Sequence, residues 1–150
     1  MRRFYVAVVG PGHCPLPVAE QAEAVGGGLA EAGVSVVCGG LGGVMEAACR
    51  GAKAAGGLTV GILPGDDREA ANEWVDVALP TGLGEARNAL VVRSADVVVA
   101  VAGGYGTLSE VALALKTGKP VVGLSTWDID GVEPAADPAD AVAKALQFLS

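Results

Sequence analysis

Val97-Val98-Val99-Ala100-Val101-Ala102-Gly103-Gly104-Tyr105-Gly106-Thr107-Leu108-Ser109-Glu110 decides the fold. It opens on an unbroken apolar, β-branched run, the composition of a strand buried on both faces, as in a parallel sheet. The run stops at Gly103-Gly104. Beyond Gly106 the period changes: Leu108, Val111, Ala112 and Leu115 fall at i, i+3, i+4 and i+7, one face of a helix. The stretch reads strand, glycine turn, helix. In an open α/β sheet such a turn lies at the carboxyl end of its strand, where ligands bind. Bare glycine N–H groups beside a helix N-terminus suit an anion, usually a phosphate.

Working outward, the same unit recurs. Phe4 to Val9 predicts a first strand, followed by the turn Gly10-Pro11-Gly12-His13-Cys14-Pro15 and a helix from about Pro17 to Ala32. Val18, Ala22, Val25 and Leu29 form its inner face. Gly26-Gly27-Gly28 inside it costs about 1 kcal/mol per glycine against alanine, so either another element packs very close or the helix breaks there. Val34 to Cys38 predicts a second strand, Gly39-Gly40-Leu41-Gly42-Gly43 a second glycine turn, and Val44 to Ala55 a helix capped by Gly56-Gly57. Strands follow at Leu58–Leu63 and Trp74–Leu79, separated by a polar loop. A turn at Pro80-Thr81-Gly82, a helix over Leu83–Ser94, a strand at Val121–Leu124 and a helix over Asp137–Leu149 complete the pattern. The alternation predicts one Rossmann-like, doubly wound, mostly parallel α/β domain over residues 1–150.

Composition narrows the function. The 150 residues are 51% hydrophobic, enough for a real core, and only 4% aromatic, so that core is aliphatic. Net charge is −7 and the ten Lys and Arg are scattered, which argues against a nucleic-acid surface. Apolar runs are strand-sized, short of the roughly 20 residues a membrane helix needs. Cys14, Cys38 and Cys49 are odd in number with no CxxC pair, so free thiols and a cytoplasmic location are expected.

Three β→α turns carry glycine: 10–12, 39–43 and 103–106. One such turn serves tight strand–helix packing about as often as a ligand. Three on one sheet edge converge, and the expectation shifts to a phosphorylated small molecule. Gly10, Gly12, Gly39, Gly40, Gly42, Gly43, Gly103, Gly104 and Gly106 are the candidate cradle, with Met45 and Thr107 beside it. No GxxxxGK[ST] is present, and Gly10-Pro11-Gly12 lacks the third glycine of GxGxxG. Thr107 and Glu110 stand in T-x-x-E spacing, which fits a capping box with Thr107 as N-cap. The alternative is that Thr107 donates to a phosphate and Glu110 reaches towards the ligand's sugar. Arg87 is the expected positive partner, since Arg binds phosphate bidentately. Arg50 and Lys53 are expected to face water. His13 and Cys14 share the edge, but no third ligand is evident and no metal site is expected.

Ala102-Gly103-Gly104-Tyr105-Gly106-Thr107-Leu108-Ser109-Glu110 resembles the PGGxGTxxE signature of the LOG-like ("lysine decarboxylase-like", SLOG) proteins. Gly39-Gly40-Leu41-Gly42-Gly43-Val44-Met45 resembles their GGGxxGLMG motif. Ala102 replaces the first proline, and Asn88 stands where the hydrolases of the family carry Lys. The stretch from Ala86-Arg87-Asn88-Ala89-Leu90 to Gly123-Leu124 is similar to the molybdenum-cofactor-carrier-like branch. That resemblance implies a binding protein for a phosphorylated pterin or nucleotide-like ligand, with a molybdopterin-type cofactor or a nucleotide carried and no cofactor required. It also implies a homodimer or larger homo-oligomer. The hydrolase branch would instead make Arg87 and Glu110 the catalytic pair of a phosphoribohydrolase, cleaving the N-glycosidic bond of a nucleoside 5′-monophosphate. A domain whose glycines only pack is the third reading.

Overall fold

A computed structural model describes residues 2–150. Its seven strands are β1 (Tyr5–Val9), β2 (Ser35–Cys38), β3 (Thr59–Leu63), β4 (Val77–Pro80), β5 (Val97–Val101), β6 (Val121–Leu124) and β7 (Val132–Ala135). They form one sheet in the order β4-β3-β2-β1-β5-β6-β7, parallel throughout. The helices are α1 (Leu16–Glu31), α2 (Val44–Ala54), α3 (Arg87–Arg93), α4 (Tyr105–Lys116) and α5 (Pro138–Leu149). The order runs outward one way from β1 to β4 and the other way from β5 to β7. The reversal between β1 and β5 is the switch point at which doubly wound sheets open a crevice.

Strand alternation distributes the valines to two cores. Val97, Val99 and Val101 face α1, α2 and α5, together with Val6, Val8 and Val36. Val98 and Ala100 face α3 and α4, together with Ala7, Val9 and Val37. With both faces covered, every residue of β5 is buried, which is why its sequence shows no polar alternation.

The glycine triplet in α1 does not break the helix. A Cβ on Gly26 would stand 2.0 Å from the Ala48 carbonyl oxygen of α2, and one on Gly51 would stand 2.0 Å from that of Glu23. The two helices therefore cross with backbone against backbone, and Gly28 makes room for the Val142 side chain of α5. The helix-propensity cost is the cost of this close crossing.

Some boundaries differ from expectation. β7 is an additional strand; Pro134 obscures it in the sequence, yet an edge strand tolerates proline. Pro80 lies within β4, the other edge, rather than in a turn. Trp74 sits before β4 and packs on Cys38, Met45 and Cys49. The first turn expected of α3, Gly84–Ala86, is 3₁₀. Arg50 and Lys53 do not simply face water: Arg50 pairs with Glu23 and Lys53 with Asp76, at 3.4 and 2.8 Å. The three cysteines carry free thiols. Among the described residues, no helix is long and apolar enough to cross a membrane.

Candidate functional site

The turns after β1, β2 and β5 meet at the switch point around a cleft of about 240 Å³. Gly10, Gly12, Gly39, Met45, Arg87, Gly104, Gly106, Thr107 and Glu110 line it, joined by Val9, Pro11 and Asn88. Four other candidates lie outside the lining. Gly40 backs onto Leu63 and Gly61, and Gly103 lies beside Trp127. Gly42 and Gly43 let the second turn sit against the first: a Cβ on Gly43 would be 2.3 Å from the Pro11 carbonyl oxygen. That oxygen instead accepts from the Val44 N–H at 3.0 Å, tying the two turns together.

The expected capping box does not form. α4 begins at Tyr105 with Gly104 as its N-cap, and no side chain caps it. Thr107 is thus the third residue of the helix and Glu110 the sixth, too far on to reach back to the cap. Glycine decides this. Gly104 adopts φ 115°, ψ 156°, a conformation almost confined to glycine, so the chain enters the helix two residues before Thr107. A Cβ at 104 would meet no protein atom closer than Thr107 Oγ1 at 4.0 Å; a side chain there strains the turn rather than colliding with the fold.

Two consequences follow for the cleft. The first-turn N–H groups of α4 have no helical acceptors and carry the helix's partial positive charge. The Thr107 hydroxyl, freed from capping, is buried and unpartnered among the described residues. A buried hydroxyl without a partner costs about 1–3 kcal/mol, so the cleft is short of one acceptor at the helix N-terminus.

Arg87 is 9% exposed and rigidly held. Its Nε donates to the Ile62 carbonyl at 2.9 Å, Nη2 to that of Gly39 at 3.4 Å and Nη1 to Asn88 Oδ1. None of these acceptors is a carboxylate, and Arg87 joins no ion pair among the described residues. No carboxylate lies within ion-pair distance of it among the described residues, in a chain of net charge −7. Glu110, 7% exposed, lines the same cleft. Desolvation pushes its carboxyl up to about 7, against the opposing pull of Arg87. Near neutrality the cleft thus presents one fixed cation, a carboxyl able to hold its proton, and unpaired donors.

Sequence reasoning passed over two supports. Asn88, visible only as a departure from a motif, accepts from Arg87 and reaches Ser109 Oγ at 3.5 Å. Trp127 lies on the connection between β6 and β7, donates to the Gly104 carbonyl at 3.1 Å and stacks with Tyr105. Nothing local in the sequence links residue 127 to the glycine turn.

A parallel sheet with a donor-lined cleft at its switch point defines a Rossmann-like domain with its site on the carboxyl edge. Within that class the chain belongs to the SLOG cluster4 family, matched over residues 3–147. It is similar to the molybdenum cofactor binding protein of Rippkaea orientalis, with 39% identity and a TM-score of 0.95 over 100% of this chain and 99% of that one. The molybdenum cofactor carrier protein of Chlamydomonas reinhardtii is 40% identical, with a TM-score of 0.91 over 99% of each chain. A protein of Archaeoglobus fulgidus is 43% identical over 143 residues, 95% of this chain and 94% of that one.

Proposed function

We propose that this protein binds and carries a phosphorylated pterin of the molybdenum-cofactor type, holding the phosphate at the N-terminus of α4. The observation that carries the reading is the buried, unpartnered hydroxyl of Thr107 in a cleft that also holds helix N–H donors and Arg87, which joins no ion pair among the described residues. The likeness to cofactor carriers along the whole chain supports it. In this reading Gly104, Gly106 and Thr107 cradle the phosphate, Arg87 offsets its charge, and Gly10, Gly12, Gly39 and Met45 shape the wall. Glu110, in its protonated form, donates to the ligand rather than repelling it. Asn88 positions Arg87. The molybdenum centre is the ligand's own and is cargo. The same reading takes the working form to be a homo-oligomer, and the exposed Val77, Leu79, Leu83 and Leu90 are apolar surface that assembly would cover.

One observation favours a second reading. A carboxyl titrating near 7 beside the cleft could serve a hydrolase of nucleoside 5′-monophosphates as acid or base. Incubation with AMP separates the two. Carriage predicts no adenine release above that of Glu110→Ala. It also predicts stabilisation by the phosphorylated pterin, amounting to about 2.7 kcal/mol at 100 times Kd. Adenine and ribose 5-phosphate released by the wild type and lost in Glu110→Ala would overturn carriage in favour of hydrolysis.

A further inference from the structure

Behind the cleft wall lie two thiols that the phosphate site does not use, in contact with one side chain, Met45, that it does. Cys38 ends β2, Cys49 lies in α2, and both are 0% exposed. Their Sγ atoms stand 3.5 Å apart. Met45, one helical turn before Cys49, packs with both in a small cluster flanked by Leu41, Trp74 and Val75. The Gly40 N–H donates to Cys38 Sγ at 3.3 Å. Met45 also lines the cleft, so the sulfurs sit one side chain away from a solvent-connected space.

We propose that Cys38, Cys49 and Met45 form a three-sulfur site for a soft monovalent cation, of which Cu(I) is the biological representative. Two thiolates and a thioether in an apolar pocket are a donor set that selects Cu(I) and its congeners over hard cations. The spacing agrees. Thiolates bound to one metal at about 2.3 Å lie roughly 3.5–4.0 Å apart for angles of about 100–120°. The observed separation is at the near end of that range, so a slight opening admits the ion. A disulfide would require the sulfurs to close to about 2.05 Å. Binding needs no oxidant: one cation enters, two S–H protons leave, two metal–sulfur bonds form, and the site gains one net negative charge.

The surroundings suit that charge. The Gly40 N–H already points at Cys38 Sγ, at 3.3 Å, and remains available to the thiolate. An N–H donor to a ligating sulfur is the outer-shell support that metal–thiolate sites use.

The test uses the reduced protein, freed of reductant under nitrogen, titrated with Cu(I) buffered by a bathocuproine chelator and separately with Ag(I). The expected result is uptake of one equivalent of either ion, with near-ultraviolet thiolate-to-metal absorption saturating at that ratio and a raised unfolding temperature. Cys49→Ser and Cys38→Ser, each checked for its fold by circular dichroism, should bind at least ~100-fold more weakly, and Met45→Leu roughly tenfold more weakly. Cys14→Ser should bind as the wild type does. Failure of the wild type to take copper from the chelator would overturn the proposal. So would equal loss in Cys14→Ser, or a wild type isolated two mass units light that regains them on reduction, the mark of a disulfide. None of these readouts depends on how the phosphate site is assigned.

Discussion

Gly51→Ala is expected to lose about 3 kcal/mol or more of stability, or to fail to fold, although alanine is the best helix former. The added Cβ would stand 2.0 Å from the Glu23 carbonyl oxygen, 2.8 Å from its carbon and 3.1 Å from its Cα. These are backbone atoms of a packed helix, so the neighbour cannot rotate away, and α1 and α2 must separate over the sheet. Gly27→Ala, in the middle of the α1 glycine triplet on the other side of the crossing, is the internal control. Its Cβ would meet the Gly51 carbonyl oxygen at 3.5 Å, ordinary contact, and the change should stabilise by up to about 1 kcal/mol. Urea unfolding of both variants measures the pair. Similar effects of the same sign would show that the crossing is looser than the structure has it.

Glu110→Gln is expected to stabilise the protein by up to about 3 kcal/mol at pH 8 and by little at pH 4.5. The folded-state carboxyl titrates near 7 against an ordinary 4.5. Between these values the folded chain holds a proton that the unfolded chain has released. The unfolded state therefore binds fewer protons, and stability falls as pH rises. The contribution of the buried, protonated carboxyl is complete below about 4.5 and gone above about 7, a change of about 3 kcal/mol at 1.36 kcal/mol per unit. Gln keeps the shape and removes the charge, so its stability should be flat across this window. A wild type equally flat between pH 5 and 8, measured by urea unfolding, would contradict the burial of Glu110. A bound phosphate favours the protonated carboxyl further, so ligand affinity should also decline above neutrality.

The sheet was legible because periodicity carries it. The all-apolar run of Val97 to Val101 is the signature of a doubly covered strand, and it lies where both helical layers meet. The convergence of three glycine turns was likewise legible, since right-handed crossovers place every β→α turn on one edge. What escaped depended on partners distant in sequence. Gly26 could not be read from α1 alone, because its reason is Ala48. β7 is short and contains Pro134, and its identity rests on pairing with β6. The T-x-x-E spacing fitted a cap, but the backbone of Gly104 starts the helix earlier and leaves Thr107 to the cleft. Gly40, Gly42, Gly43 and Gly103 belong to the same turns but lie outside the lining; spacing does not separate a glycine that lines the cleft from one that meets a neighbouring turn or strand.

The central claim is that the phosphate supplies the hold. Affinity of the purified protein for the oxidised, air-stable pterin of the molybdenum cofactor, with its phosphate intact and after phosphatase treatment, tests it most directly. Binding is expected to be roughly 100-fold tighter with the phosphate, the worth of one or two charge-assisted hydrogen bonds, with a much smaller gap in Thr107→Val. Equal affinity for the two forms in the wild type would contradict it.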